Sequence, residues 1–139
     1  MACVGLVFIA WSALAEYPGE TVWIPMAADG DSGDKEIRLE ATLYLPAGDE
    51  PFPVVVYSHG STAGGAIPRT QTEKPWGFAE YLNRKGIAML APMRRGRGQS
   101  GGGYKEGYAC TREAIEEGLD YAAASLDATF AYLKQQDWA

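Results

Sequence analysis

Two small-residue segments of this chain carry side chains able to do chemistry. His59-Gly60 follows directly on the apolar run Pro53-Val54-Val55-Val56-Tyr57-Ser58 and leads into Ser61-Thr62-Ala63-Gly64-Gly65. A buried strand that runs into His-Gly and a loop this small leaves backbone N–H groups free to face an anion forming on a carbonyl oxygen. The second segment, Gly98-Gln99-Ser100-Gly101-Gly102, has the G-x-S-x-G spacing in which a serine is lifted clear of the backbone as a nucleophile. That device needs a tight strand-to-helix turn. Ser100 instead lies eight residues past Pro92, inside a glycine run with more loop after it. Its only histidine partner would be His59, the sole histidine of the chain. The context favours a loop hydroxyl holding backbone or solvent over a nucleophile.

Two other constellations are weaker. Asp29-Gly30-Asp31-Ser32-Gly33-Asp34, with Glu40 at the twelfth place, resembles a calcium loop. Such a loop requires an oxygen ligand at its fifth position and glycine at its sixth, and here Gly33 and Asp34 are transposed. An acidic turn is the better reading, and no metal site is assigned. Arg94, Arg95 and Arg97 amid glycines suggest a phosphate or RNA contact. The Lys-Ser/Thr ending of a phosphate loop is missing, and an anionic chain with a net charge of −6 disfavours nucleic acid as a partner. The arginines are expected to clamp their loop to neighbouring backbone or carboxylates, with contact to an anionic substrate as the rival role.

The elements that must hold these residues follow from pattern. Residues 21–26 read as a short strand. In residues 37–45 apolar side chains fall at every odd position, from Ile37 through Leu39, Ala41 and Leu43 to Leu45, with Arg38, Glu40 and Thr42 between them. That alternation predicts a half-buried strand, paired with the first in a hairpin. Residues 54–57 lack polar alternation, as a strand covered on both faces does. Residues 76–85 read as a helix with Phe78, Ala79 and Leu82 inward. Residues 87–91 form a second buried strand, ended by Pro92. Residues 94–107 carry six of the seventeen glycines and read as a flexible loop. In the last helix Ile115, Leu119, Ala122, Leu126, Phe130 and Leu133 form one apolar stripe at steps of three and four. Thr111 is placed to cap it, with Glu113, Glu116 and Glu117 near the positive end of its dipole.

At 139 residues and 47% hydrophobic content the chain holds at most one globular domain. Residues 4–11 form an apolar core of signal-peptide length, and Ala13-Leu14-Ala15 is a small-x-small cleavage site before Glu16. Residues 1–15 are therefore expected to be removed on export to a secreted or periplasmic location, leaving 16–139 as the domain. The competing reading is a buried N-terminal strand. The run is too short to span a bilayer. Cys3 would leave with the signal, and Cys110 alone makes no internal disulfide and no metal cluster.

A hairpin followed by strand, helix, strand and helix predicts an α/β architecture with a mostly parallel, three-layer sheet. Three segments resemble the α/β-hydrolase superfamily, especially its dienelactone-hydrolase-like and prolyl-oligopeptidase-like esterases and peptidases. They are Ala41-Thr42-Leu43-Tyr44-Leu45-Pro46, Val54-Val55-Val56-Tyr57-Ser58-His59-Gly60 and Ala91-Pro92-Met93-Arg94-Arg95-Gly96-Arg97-Gly98-Gln99-Ser100. The resemblance implies that the chain is the N-terminal part of that fold, and that His59, Gly60 and Ser61 form the oxyanion-hole segment. Ser61 would offer its backbone N–H to the oxyanion, and the His59 imidazole would brace the loop rather than act as a base. It also implies that the nucleophile elbow, the acid and the catalytic histidine lie past Ala139, so no catalytic residue is assigned within the chain. A Ser100–His59 pair would reverse the Ser, acid, His order of that fold. The activity implied is serine hydrolysis of small-molecule ester, lactone or peptide bonds without a cofactor. The alternative is a non-catalytic exported α/β module that binds a ligand or a partner.

Overall fold

The computed structural model describes residues 19–28, 35–60, 68–106 and 110–139. The signal segment 1–15, the acidic turn 29–34 and Ser61 lie outside the described residues. Six elements run in the order β1 (Glu20–Ala27), β2 (Glu36–Tyr44), β3 (Val54–Val56), α1 (Trp76–Asn83), β4 (Ala88–Pro92) and α2 (Arg112–Leu133). They form a four-stranded sheet in the order β1-β2-β4-β3.

The expected hairpin is present, with β1 and β2 antiparallel and Ile24 opposite Leu39. β2 is also antiparallel to β4, pairing Leu43 with Leu90, while β3 lies parallel to β4 with Val55 opposite Met89. The sheet is therefore mixed rather than mostly parallel. Of its three pairings only the one joined by the β3–α1–β4 crossover is parallel.

Alternation of side chains along β2 divides the core into two faces. Leu39, Ala41 and Leu43 join Ile24 and Leu90 beneath Ala128, Tyr132 and Leu133 of α2. Tyr44 and Met89 face the other way, against Ala79 and Leu82 of α1. The result is three layers, helix, sheet and helix. Each fully buried Ile or Leu here contributes about 1.5–3 kcal/mol relative to exposure.

Three expectations need correcting. Glu40 and Thr42 are not on a solvent face, since every residue of β2 from Leu39 to Tyr44 is buried. Segments ahead of α1 and after β4 cover Glu40, whose two carboxylate oxygens accept from the Thr72 hydroxyl at 2.9 Å while one also accepts from the Gln99 N–H at 2.7 Å. Phe78 is 44% exposed. The buried side of α1 is Ala79, Leu82 and Asn83, and the Asn83 amide donates to the carbonyls of Tyr44 and Ile87.

The third correction concerns α2, which buries Tyr121, Ser125 and Thr129, the first two against Gly103 and Arg95 of the segment after β4, and leaves Ile115, Leu119 and Phe130 about half exposed or more. The buried face is rotated by about 100° from the apolar stripe, as 3.6 residues per turn requires for those positions. Small hydroxyl side chains let the helix approach closely. Their polarity is satisfied within the helix, with the Thr129 hydroxyl donating to the Ser125 carbonyl at 2.8 Å. The Thr111 cap is as expected, accepting from the Ala114 N–H at 3.3 Å.

Candidate functional site

The carboxyl ends of the parallel strands β3 and β4 lie side by side, which is where open α/β sheets bind their ligands. The chain leaving β3 carries Ser58, His59 and Gly60, and Tyr57 N–H still bonds to the Leu90 carbonyl at 2.8 Å. The chain leaving β4 carries Met93 through Ser100. The two segments meet at His59 and Arg94.

His59 is 3% exposed. Its Nδ1 lies 2.9 Å from the Gly60 carbonyl oxygen, and its Nε2 accepts from the Arg94 backbone N–H at 3.3 Å. The neutral imidazole protonated at Nδ1 satisfies both contacts. Burial lowers the pKa of His59 and outweighs the opposing Gly60 hydrogen bond, and the charges of Arg94 and Arg97 add to the lowering. With both ring nitrogens engaged, the imidazole fixes one loop to the other and has no lone pair left for a substrate proton.

Arg94 does most of the remaining holding. Its guanidinium grips Glu106 through two bonds, one from Nε and one from Nη2 at 2.7 Å. Nη1 donates to the His59 carbonyl oxygen at 2.5 Å and reaches the Ser58 hydroxyl at 3.4 Å. Both charged partners are buried. Burial alone would raise the Glu106 carboxyl, but the hydrogen bonds and charge of Arg94, with His59 and Arg97, hold it below the ordinary carboxylate range.

Glu106 is the site residue that pattern reading did not single out. Its only signal in the sequence is an acidic group in an arginine- and glycine-rich loop. The clamp expected of the arginines is found at Arg94, while Arg95 stacks on the Tyr121 ring at 3.6 Å and Arg97 lies 5.5 Å from the Tyr104 ring centre.

The loop expected to be flexible is pinned along residues 96–101. Gly96 N–H bonds to the Gly101 carbonyl, Gly98 N–H to that of Arg69, and Gly101 N–H to that of Arg38. Gly98 has a φ of +56°, and a side chain there would collide with the Glu40 carboxylate and Met93, so the turn requires glycine. Ser100 is part of this pinning. Its hydroxyl donates to the Met93 carbonyl and accepts from the Glu40 N–H, both at 2.9 Å. Ser100 and His59 are thus committed to different partners and not to each other.

Between these loops and α2 lies a cleft of about 440 Å³, with His59, Arg94 and Glu106 on one side and Ile115, Leu119 and Ala122 on the other. Gly60 is exposed and has open space where a side chain would stand. Cys110 is exposed just ahead of α2. Among the described residues no group of acidic, cysteine or histidine side chains is placed to hold a metal ion, and no helix is long and apolar enough to cross a membrane.

Comparison with known proteins gives no matching family model and no matching curated protein. Solved structures do match. Est1E from Butyrivibrio proteoclasticus, solved with ferulic acid bound, superposes with a TM-score of 0.56 at 24% identity, over 85% of this chain and 39% of its own. Acetyl xylan esterase 1 from Thermoanaerobacterium sp. JW/SL YS485 gives a TM-score of 0.52 at 18% identity, over 87% of this chain and 37% of its own. DcsB, solved with a substrate analogue, gives a TM-score of 0.54 at 14% identity, over 87% of this chain and 33% of its own. The chain matches these structures over most of its own length and spans under two-fifths of each of theirs. Its architecture is that of part of an α/β-hydrolase fold.

Proposed function

We propose that these residues form the oxyanion-binding side of a serine hydrolase acting on ester, lactone or peptide bonds, with the nucleophile, acid and catalytic histidine supplied by other residues of the whole protein. The observation that carries this is the His59 imidazole, neutral and fixed between the Gly60 carbonyl and the Arg94 N–H at the carboxyl end of β3. An oxyanion hole works by holding N–H donors rigid where negative charge will develop, so that no reorganisation is needed during reaction. A braced loop ending at an open Gly60, followed by Ser61, suits that task. The folds of Est1E and acetyl xylan esterase 1 support the same reaction class. An exported enzyme is part of the reading, with residues 1–15 as its signal.

In the catalytically complete protein, Ser61→Pro removes the one backbone donor proposed at that position. The expected result is a loss of about 10²–10³ in kcat with KM little changed. An unchanged kcat would remove Ser61 from the oxyanion hole. The exposed row of Ile115, Leu119 and Phe130 favours, as a second reading, a non-catalytic exported module whose ligand or partner covers that row. Absence of any acyl hydrolysis by the whole protein would select it.

A further inference from the structure

We propose that Arg94 and Glu106 are a positioning pair for the oxyanion-binding segment, Glu106 aiming the guanidinium and Arg94 setting the orientation of the His59–Gly60 peptide. This role rests on the hydrolase reading above for its chemistry and on the bonds of Arg94 for its geometry. Glu106 takes the Nε and Nη2 edge of the planar guanidinium with its two carboxylate oxygens. A guanidinium forked in this way cannot swing, so its remaining nitrogen has one direction to point. Nη1 donates to the His59 carbonyl at 2.5 Å and reaches the Ser58 hydroxyl at 3.4 Å.

That peptide needs a hold of its own. The His59 imidazole meets the Gly60 carbonyl, and so braces the peptide after Gly60 rather than the one before it. Gly60 joins the two peptides without a side chain, and no neighbour lies within 4 Å of where one would stand. Glycine turns about its backbone bonds more freely than any other residue. A trans peptide is planar, with its N–H opposite its C=O. Fixing the His59 oxygen therefore also fixes where the Gly60 N–H points, at the start of the proposed oxyanion-binding segment. Stability alone does not account for the pair. Both side chains are buried, and a well-packed apolar pair of similar volume is often as stable or more so. What an apolar pair lacks is a charged donor aimed at one particular carbonyl.

His59 is the only histidine, so isotope labelling of histidine at the carbonyl carbon and glycine at the amide nitrogen selects the Gly60 amide alone by NMR. In the 139-residue chain that amide should be rigid, with an order parameter of about 0.85. In the double variant Arg94→Met, Glu106→Leu it should fall below about 0.6, and the His59 carbonyl resonance should shift as its charged donor is lost. In the catalytically complete protein the same double variant should lower kcat about tenfold to a hundredfold with KM little changed, as misplacing an oxyanion site implies. Thermal unfolding separates this from a structural role, because the apolar pair should restore most of the midpoint lost in Glu106→Gln while kcat stays low. Arg94→Lys keeps the cation but not the fork, and as a second variant it should move the Gly60 amide and kcat in the same directions. A wild-type protein without acyl hydrolysis would remove the hydrolase reading, and the hold on the peptide would then stand or fall on the Gly60 amide. Activity recovered along with the midpoint, or a Gly60 amide equally rigid in the wild type and both variants, overturns the proposal.

Discussion

Replacing Glu106 with glutamine keeps the shape of the Arg94 clamp and removes its negative charge. Arg94 and Glu106 side chains are only 8% and 9% exposed, so the substitution strands a buried cation instead of trimming a surface pair. Breaking a buried pair from one side costs about 3–5 kcal/mol, out of a total domain stability of about 5–15 kcal/mol. At a urea slope of about 2 kcal/mol per molar, the unfolding midpoint should fall by about 1.5–2.5 M. The exposed Arg112–Glu116 pair, with side chains 84% and 59% exposed, is the internal control, and Glu116→Gln should cost no more than about 0.5 kcal/mol. The double variant Arg94→Met, Glu106→Leu should recover much of the loss, because an apolar pair removes both desolvation penalties together. It leaves the His59 carbonyl without its donor, so a deficit of about 1–3 kcal/mol should persist. Tryptophan fluorescence in urea measures all four chains. A Glu106→Gln midpoint within experimental error of Glu116→Gln would refute the buried clamp.

Acid should weaken the fold in two stages. The folded pKa of His59 lies below its ordinary 6.5, so the unfolded state binds the extra proton first, and the neutral imidazole's contribution is full above pH 6.5 and declines below it. Glu106 is likewise depressed from 4.5, and its contribution is present above that pH and lost as pH falls through the lower folded value. NMR of the single imidazole alongside thermal unfolding checks both, and a His59 pKa above 6.5 would contradict the buried neutral ring. Ser100→Ala should cost about 1–3 kcal/mol in urea unfolding, because it strands the Glu40 N–H and the Met93 carbonyl. Recovery of the exported protein should yield an N-terminus at Glu16, and Met1 or Ala2 on a soluble exported product would sink the signal assignment.

The elements were legible wherever local pattern and packing agree. The alternation in 37–45 found β2, the β-branched run found β3, and Thr111 marked the start of α2. The faces were less legible. Glu40 reads as solvent-facing because alternation cannot register a loop from sixty residues away laying Ser100 and Gln99 over it. The stripe of α2 points to Ile115, Leu119 and Phe130, yet Tyr121, Ser125 and Thr129 are its buried side, because Tyr121 and Ser125 meet Gly103 and Arg95 of a loop that periodicity cannot register. His59 stood out by its place after a buried run. Glu106 did not, because its partner is set by three-dimensional proximity across a glycine loop that has no periodicity to read.

The reading as the oxyanion side of a serine hydrolase is tested most directly by following the coding DNA past the Ala139 codon and treating its natural product with a fluorophosphonate probe. The expected result is an in-frame continuation that opens with a strand and a G-x-S-x-G turn, with label on that serine and none on Ser100. A stop codon directly after Ala139 and an unlabelled product would contradict the hydrolase reading. Label on Ser100 that disappears in Ser100→Ala would contradict the structural role given to that hydroxyl.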